Sequence, residues 1–382
     1  MTIHREEESA DADSISVPEI DIFRASHPST TVAAETADDP AYTIVPAYVH
    51  RDRAALLKLW RGNLGTAIRW AEKYDWFYLA CPWGEPMVRV LRHSATAEWV
   101  GVAAVGPRRV RWNGREIRAG LLVDMAVDAS HRSLGPALML QRAILEDALS
   151  VFDLVYGFPN PKAIPVVKRV GYKKLADIVR CSRVLRHEPY LRRLLPAPLA
   201  ALAGSLIDVV DRFVDGWRWL RGSRLIGTWH DEAETCLHEL RIPDASGDGL
   251  VGVRDCNALH WRFDAVSFTR VRYFVVREQN HRVRAWFACQ EEGATLHVRD
   301  FAPISRPGTM PRSALDALIR AARARGHSAL SVQYAGPEIG WASWRAARFV
   351  ERDRRPIYGA WRERLPDEIA LAVHFTPADE DE

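Results

Sequence analysis

Val123-Asp124-Met125-Ala126-Val127-Asp128-Ala129-Ser130-His131-Arg132-Ser133-Leu134-Gly135-Pro136-Ala137 is the stretch whose reading decides the fold. It opens as a strand, turns through small and polar residues after Asp128, and enters a helix near Leu134 whose apolar positions are Leu138, Leu140, Ile144, Leu145 and Leu149. A strand that runs straight into a helix aims free backbone amides and the positive end of the helix dipole at one spot, which suits an anionic diphosphate. Gly135 omits a side chain where a phosphate must approach the backbone, and Ala137 keeps the next turn uncrowded.

Working outward, Glu116 to Val127 and the strand-like run from Trp99 are joined by Trp112-Asn113-Gly114-Arg115, and Asn-Gly between such runs predicts a hairpin. Upstream lie a short strand at Thr43 to Pro46, helices at Arg51 to Trp60 and Thr66 to Tyr74, and a strand at Met87 to Arg92. Downstream come a buried strand at Phe152 to Phe158, a helix at Lys162 to Val170 and a closing strand at Tyr172 to Leu185. That order describes a mixed α/β sheet with helices on both faces. After a helical connector the rhythm partly recurs. A helix at Asp231 to Leu240 and one near Asn257 to Phe263 precede strands at Val271 to Arg277, Val283 to Gln290 and Thr295 to Phe301. A helix at Ser313 to Arg325, a strand at Ala329 to Gln333, a helix near Trp341 to Ala347 and a strand from Phe349 to Trp361 complete it. The expected organisation is an acidic disordered arm (1–41), a first domain (42–187), a connector (188–224), a second domain of like topology (225–366) and an acidic tail (367–382).

Arg132-Ser133-Leu134-Gly135-Pro136-Ala137 matches the acyl-CoA signature Gln/Arg-x-x-Gly-x-Gly/Ala, and Asn160-Pro161-Lys162-Ala163 leads to Gly171-Tyr172 at the spacing of a second element. With these two motifs in order, the chain resembles the GCN5-related N-acetyltransferase superfamily, as a tandem of two such domains with a degenerate second half. The resemblance implies acetyl-CoA, or another acyl-CoA, as cofactor. It implies a bulged strand whose Met125, Ala126 and Val127 backbone meets the pantetheine arm, and loop amides from Ser133 through Leu134, Gly135 and Pro136 to Ala137 on the diphosphate. Arg132 and Lys162 would add charge, and Asn160 and Ala163 would meet pantetheine or the outgoing thiol.

Acyl transfer to an amine needs a neutral nucleophile, an oxyanion donor and a proton for the thiolate. Asp124 is the best-placed carboxylate for the base by sequence, with a structural hydrogen-bonding role as its alternative. The family's tyrosine acid is replaced by Val167, leaving Tyr156 and Tyr172 as substitutes in name, and a thiolate leaves without an acid when its pKa is near about 8.5. His131 is expected to meet phosphate or solvent. Trp76, Tyr78 and Trp83 line an acceptor pocket or form core, and the pairs Arg108-Arg109, Arg192-Arg193 and Arg354-Arg355 read as solvated faces. In the second half, Ala302 to Pro311 has one glycine and three prolines, which lack the amide a phosphate needs.

Composition bounds the partners. At 382 residues the chain exceeds one ordinary domain, and 52 Lys and Arg against 49 Asp and Glu leave a net charge of only +3, so no global field attracts nucleic acid. Five dispersed cysteines suggest neither disulfides nor a metal site and fit a reducing cytoplasm. The apolar run Leu194 to Val210 is too short and interrupted to span a membrane. Basic and aromatic residues flanking it between 190 and 221 leave a peripheral membrane contact open beside a buried or bridging helical pair. The acceptor is an amine on a sugar, a peptide or a small metabolite, and oligomeric state is not legible. Two alternatives stay open: a Fem-like peptidyl transferase using aminoacyl-tRNA, which needs a basic channel between the domains, and a catalytically silent CoA-binding protein.

Overall fold

The structure, a computed structural model, describes residues 41–65, 69–222, 225–233, 249–303, 309–363 and 372–381. Tyr42–Ala47 (β1) leads to the helix Arg53–Leu64 (α1), and Trp70–Lys73 (α2) widens into a π turn over Tyr74–Leu79. Met87–His93 (β2), Trp99–Trp112 (β3) and Arg115–Val127 (β4) complete an antiparallel meander with β1. The β3–β4 turn is Asn113-Gly114, with φ of 49° and 76°, the left-handed pair that matches strand twist. Leu134–Val151 (α3) crosses over to Leu154–Gly157 (β5), parallel to β4, and Ile164–Val170 (α4) ends on Gly171 at φ 110° before Lys173–Val184 (β6).

Glu188–Leu191 (α5) and Ala197–Arg221 (α6) form the connector. Ile226–His230 (β7) and Leu250–Gly252 (β8) follow, and Cys256–Leu259 (α7) widens into a second π turn at His260–Asp264. Val271–Arg277 (β9), Val283–Glu292 (β10), Thr295–Pro303 (β11), Arg312–Ala324 (α8), Ala329–Tyr334 (β12), Glu338–Ala346 (α9) and Val350–Trp361 (β13) repeat the order of the first half, and Val373–His374 (β14) comes last. The expected arm up to Asp39 lies outside the described residues, as do the start of the Thr66 helix, most of the Asp231 to Leu240 helix and 304–308 of the proline-rich loop.

One continuous sheet carries both halves, in the order β1-β2-β3-β4-β5-β13-β6-β12-β11-β10-β9-β7. The halves exchange their last strands. β6 pairs antiparallel with β12, from Val184↔Ala329 to Val179↔Tyr334, while β13 pairs with β5, from Gly157↔Tyr358 to Leu154↔Trp361. Trp76 and Trp261, each on a π turn, stack at 4.8 Å. Each indole N–H donates to the other's carbonyl, at 2.7 and 3.3 Å.

Three expectations are corrected here. Of the expected acidic tail, residues 372–381 are described, and they are packed against the body. Phe375 bridges Ala335, Thr376 Oγ1 donates to Asp300 at 2.8 Å, and Asp379 takes both terminal nitrogens of Arg254 at 2.9 and 2.5 Å. Its carboxylates meet Arg254, Arg355 and Lys73, cations from distant elements that a sequence window cannot see. Arg108 is no solvated residue either: it is buried with its guanidinium over Phe77 and Trp261. Nor is the connector buried, since α6 turns a long apolar face outward.

Candidate active site

Between β3 and β4 the register slips. Val102 opposes Ala126 and Ala104 opposes Val123, so Asp124 and Met125 together face Ala103. This is a β-bulge, with Asp124 in the left-handed region at φ 49°. The β4–β5 ladder ends at Leu121↔Tyr156, and no pairing joins Leu122 to Val127 with β5. The bulge residues thus stand where the two strands part.

α3 opens at this corner. Ser133 is its N-cap in extended conformation and its hydroxyl makes no capping bond. Leu134 and Gly135 sit in the first turn, where backbone N–H groups have no intrahelical acceptor, and a Cβ added at Gly135 would meet nothing within 4 Å. The expected set of donors is smaller than the sequence suggested. Ser133 N–H already donates to the His131 carbonyl at 2.9 Å, Pro136 has none, and Ala137 lies opposite the N-cap carbonyl, which leaves Leu134 and Gly135. The geometry still fits a diphosphate, because the cradle is open and its free donors belong to the dipole's positive end.

Several side chains are committed within the protein. Arg132 turns back, its Nε and Nη2 donating to the Val127 carbonyl at 3.1 and 3.0 Å and its Nη2 to Asn63 at 3.2 Å. It braces the loop. His131 Nδ1 lies 2.9 Å from the Tyr42 hydroxyl. Asn160 is exposed, and its Oδ1 accepts from the amides of Lys162 and Ala163, both at 3.0 Å, so it shapes the entry to α4 on the far side of the gap. Val167 is buried core.

Asp124 is the centre of a buried ionic cluster. Its Oδ1 accepts from Lys73 Nζ at 2.8 Å and its Oδ2 from the Tyr78 hydroxyl at 2.7 Å, while its carbonyl accepts from Trp60 Nε1 at 2.8 Å. Lys73 also donates to Asp381 at 2.6 Å. The last acidic residue described in the chain therefore arrives beside the bulge. Lys73 and Asp124 side chains are 4% and 5% exposed, Asp381 19%, so Asp381 is the carboxylate that solvent can reach. Burial pushes the Asp124 carboxyl above the ordinary range, resisted by Lys73 and reinforced by the Asp381 charge. Burial opposes ionisation of Asp381 as well, but the Lys73 ammonium prevails and holds it low. Lys73 stays charged because two carboxylates outweigh its own desolvation.

Sequence reading found Asp124 but not its partners. Lys73 and Tyr78 lie about fifty residues upstream and Asp381 more than 250 downstream, and no local pattern links them. Tyr172 is set apart from this cluster. It is buried beneath α3, its hydroxyl accepting from Gln141 Nε2 at 3.0 Å, in a core on the opposite face of the sheet from Tyr78. Its phenol is pushed far above the usual range by burial. Trp76 and Trp83 pack on Trp261 instead of lining an open pocket. Among the described residues no group of His, Cys, Asp or Glu is arranged to hold a metal.

No protein-family model matches the chain, and no curated protein matches it. Solved structures do. A GCN5-related N-acetyltransferase from Anabaena variabilis superposes with a TM-score of 0.58 at 9% identity, covering 84% of this chain and 73% of that one. Another from Kribbella flavida gives 0.55 at 10% identity, over 84% and 71%. N-myristoyltransferase from Saccharomyces cerevisiae, solved with bound myristoyl-CoA, gives 0.50 at 11% identity, over 85% and 84%. With its bulged β4, parted β4 and β5, and helix opening at the bulge, the chain has the GCN5-related N-acetyltransferase fold.

Proposed function

We propose that the protein is an acyl-CoA-dependent N-acyltransferase, acetyl being the expected group, that acts directly on an amine of a sugar, a peptide or a small metabolite. The observation that carries this reading is the open cradle at Gly135, where uncapped amides at the head of α3 adjoin the bulged end of β4. The Leu134 and Gly135 amides would hold the diphosphate, with Ala137 keeping the next turn uncrowded, and the Met125 to Val127 backbone with Asn160 and Ala163 would border the pantetheine arm. Bound acyl-CoA supplies a thioester carbonyl whose carbon–sulfur bond breaks as the amine nitrogen bonds to carbon. Asp381 takes the proton that the amine gives up, being the accessible member of the carboxylate pair. Asp124, with both oxygens engaged, positions Lys73 and so fixes Asp381. The thiolate takes its proton from solvent, since Val167 offers none.

The second half is proposed to be degenerate. β11 and β12 pair only from Thr295↔Ala329 to Val298↔Val332, and beyond them the chain's own end engages Ala335 and Asp300. The aminoacyl-tRNA alternative requires an open basic channel between the halves. Instead Arg254 closes on Asp300 and Asp379, and the cavity beside it holds only about 20 Å³.

Titration calorimetry with acetyl-CoA, longer acyl-CoAs and free CoA tests the reading. Wild type should bind, and Gly135→Trp, whose Cβ has open space around it, should weaken binding at least tenfold, about 1.4 kcal/mol. Failure of the wild type to bind any of them would remove the proposal.

A further inference from the structure

α6 is amphipathic in reverse. Asp208, Asp211 and Asp215, spaced three and four residues apart, form its inner face and tie it to the body. Asp208 accepts from His187, Asp211 pairs with Arg348 at 2.6 Å, and Asp215 pairs with Arg183 and Arg323 at 2.5 and 2.6 Å. The opposite face carries Leu199, Leu202, Leu206, Val209, Phe213 and Leu220, again at steps of three and four apart from one heptad-long step. Leu202, Leu206 and Phe213 are 72%, 67% and 71% exposed, and the other three are more than half exposed. Large contiguous apolar patches mark interaction surfaces in soluble proteins, and this stripe, from Leu199 to Leu220 on a 25-residue helix, runs for about 32 Å.

Charge decides what covers it. Because all three acids of the helix point inward, the apolar stripe is bordered only by cations. Arg212, Arg218 and Arg221 are exposed and no salt bridge engages them among the described residues, and Arg193 adds another just ahead of the helix. The Arg221 guanidinium lies 4.4 Å over the half-exposed ring of Trp217, an aromatic and a cation placed together at the edge of the stripe. A second copy of the same face would set arginines near arginines, whereas an anionic bilayer satisfies both stripe and border. Along one flank runs a groove of about 760 Å³, lined by Arg212, Asp215, Trp219, Arg320 and Arg323 among others, with Asp215 paired to Arg183 and Arg323.

We infer that α6 seats the protein on an anionic phospholipid surface, its apolar face in the acyl boundary and its exposed bordering arginines among the lipid phosphates. No helix among the described residues is long and apolar enough to cross a membrane, so the contact is peripheral. The inference is independent of the acyl-CoA reading.

Co-sedimentation of the full chain with phosphatidylcholine vesicles, with and without phosphatidylglycerol, tests it. Binding should need phosphatidylglycerol and weaken with salt. Leu206→Gln/Phe213→Gln should reduce it at least tenfold, and Arg212→Gln/Arg218→Gln/Arg221→Gln about 100-fold. These side chains are exposed, so thermal melts of both variants should match wild type. Equal pelleting with both vesicles would overturn the inference, as would no pelleting at all. A dimer in sedimentation velocity that Leu206→Gln dissolves, with no vesicle binding, would assign the face to a second copy.

Discussion

Lys73 is the residue on which the candidate site is most exposed to change. Its ammonium is the shared counter-ion of two carboxylates in a region nearly closed to solvent. Lys73→Met would leave both uncompensated, at a cost of about 3–5 kcal/mol. The sign with pH follows. Without the ammonium both carboxyls have folded-state pKa values above their unfolded ones, so the loss is small where they hold protons and grows as they ionise. Denaturant melts should therefore show a larger deficit at pH 8 than at pH 5; an equal deficit at both would show that the cluster is not electrostatically coupled. Asp124 was legible by position. That its oxygens are occupied, and that Asp381 is the reachable partner, was not, because burial and pairing arise only between distant segments.

Among the elements, the terminal strap departs furthest from its sequence. Composition reads 367–382 as an acidic tail, yet 372–381 threads past Ala335, Asp300, Arg254 and Lys73. Local charge density predicts solvation only when no buried cation waits for it. Asp379→Ala would strip Arg254 of its bidentate partner and remove the Thr376 capping box, for about 3 kcal/mol. Hydrogen exchange should then quicken at Phe375 and Ala335 before it does in β3. Unchanged exchange there would mean that the strap is held by its apolar contacts alone. α6 shows the complementary limit: its periodicity was plain, but which face turned inward depended on arginines from other elements.

At the scale of the molecule, strand exchange makes the halves one folding unit. Ile357, from the second half, is fully buried in a core with Leu121 and Tyr156 of the first. Ile357→Ala should cost about 2–5 kcal/mol and shift one cooperative endotherm as a whole. Two calorimetric transitions, only one of them moved, would show that the halves unfold separately.

Apart from β7, β8 and β14, the order of strands and helices, the Asn113-Gly114 turn and the corner at Gly135 were determined by local sequence, because strand and helix periods, left-handed turn residues and a helix start are written within a few neighbouring positions. Which strand lies beside which, where the acidic end goes, and which charges meet Asp124 were decided by tertiary structure. Those outcomes depend on desolvating groups hundreds of residues apart, and a pairing of that kind has an energy only once the chain has brought its members together.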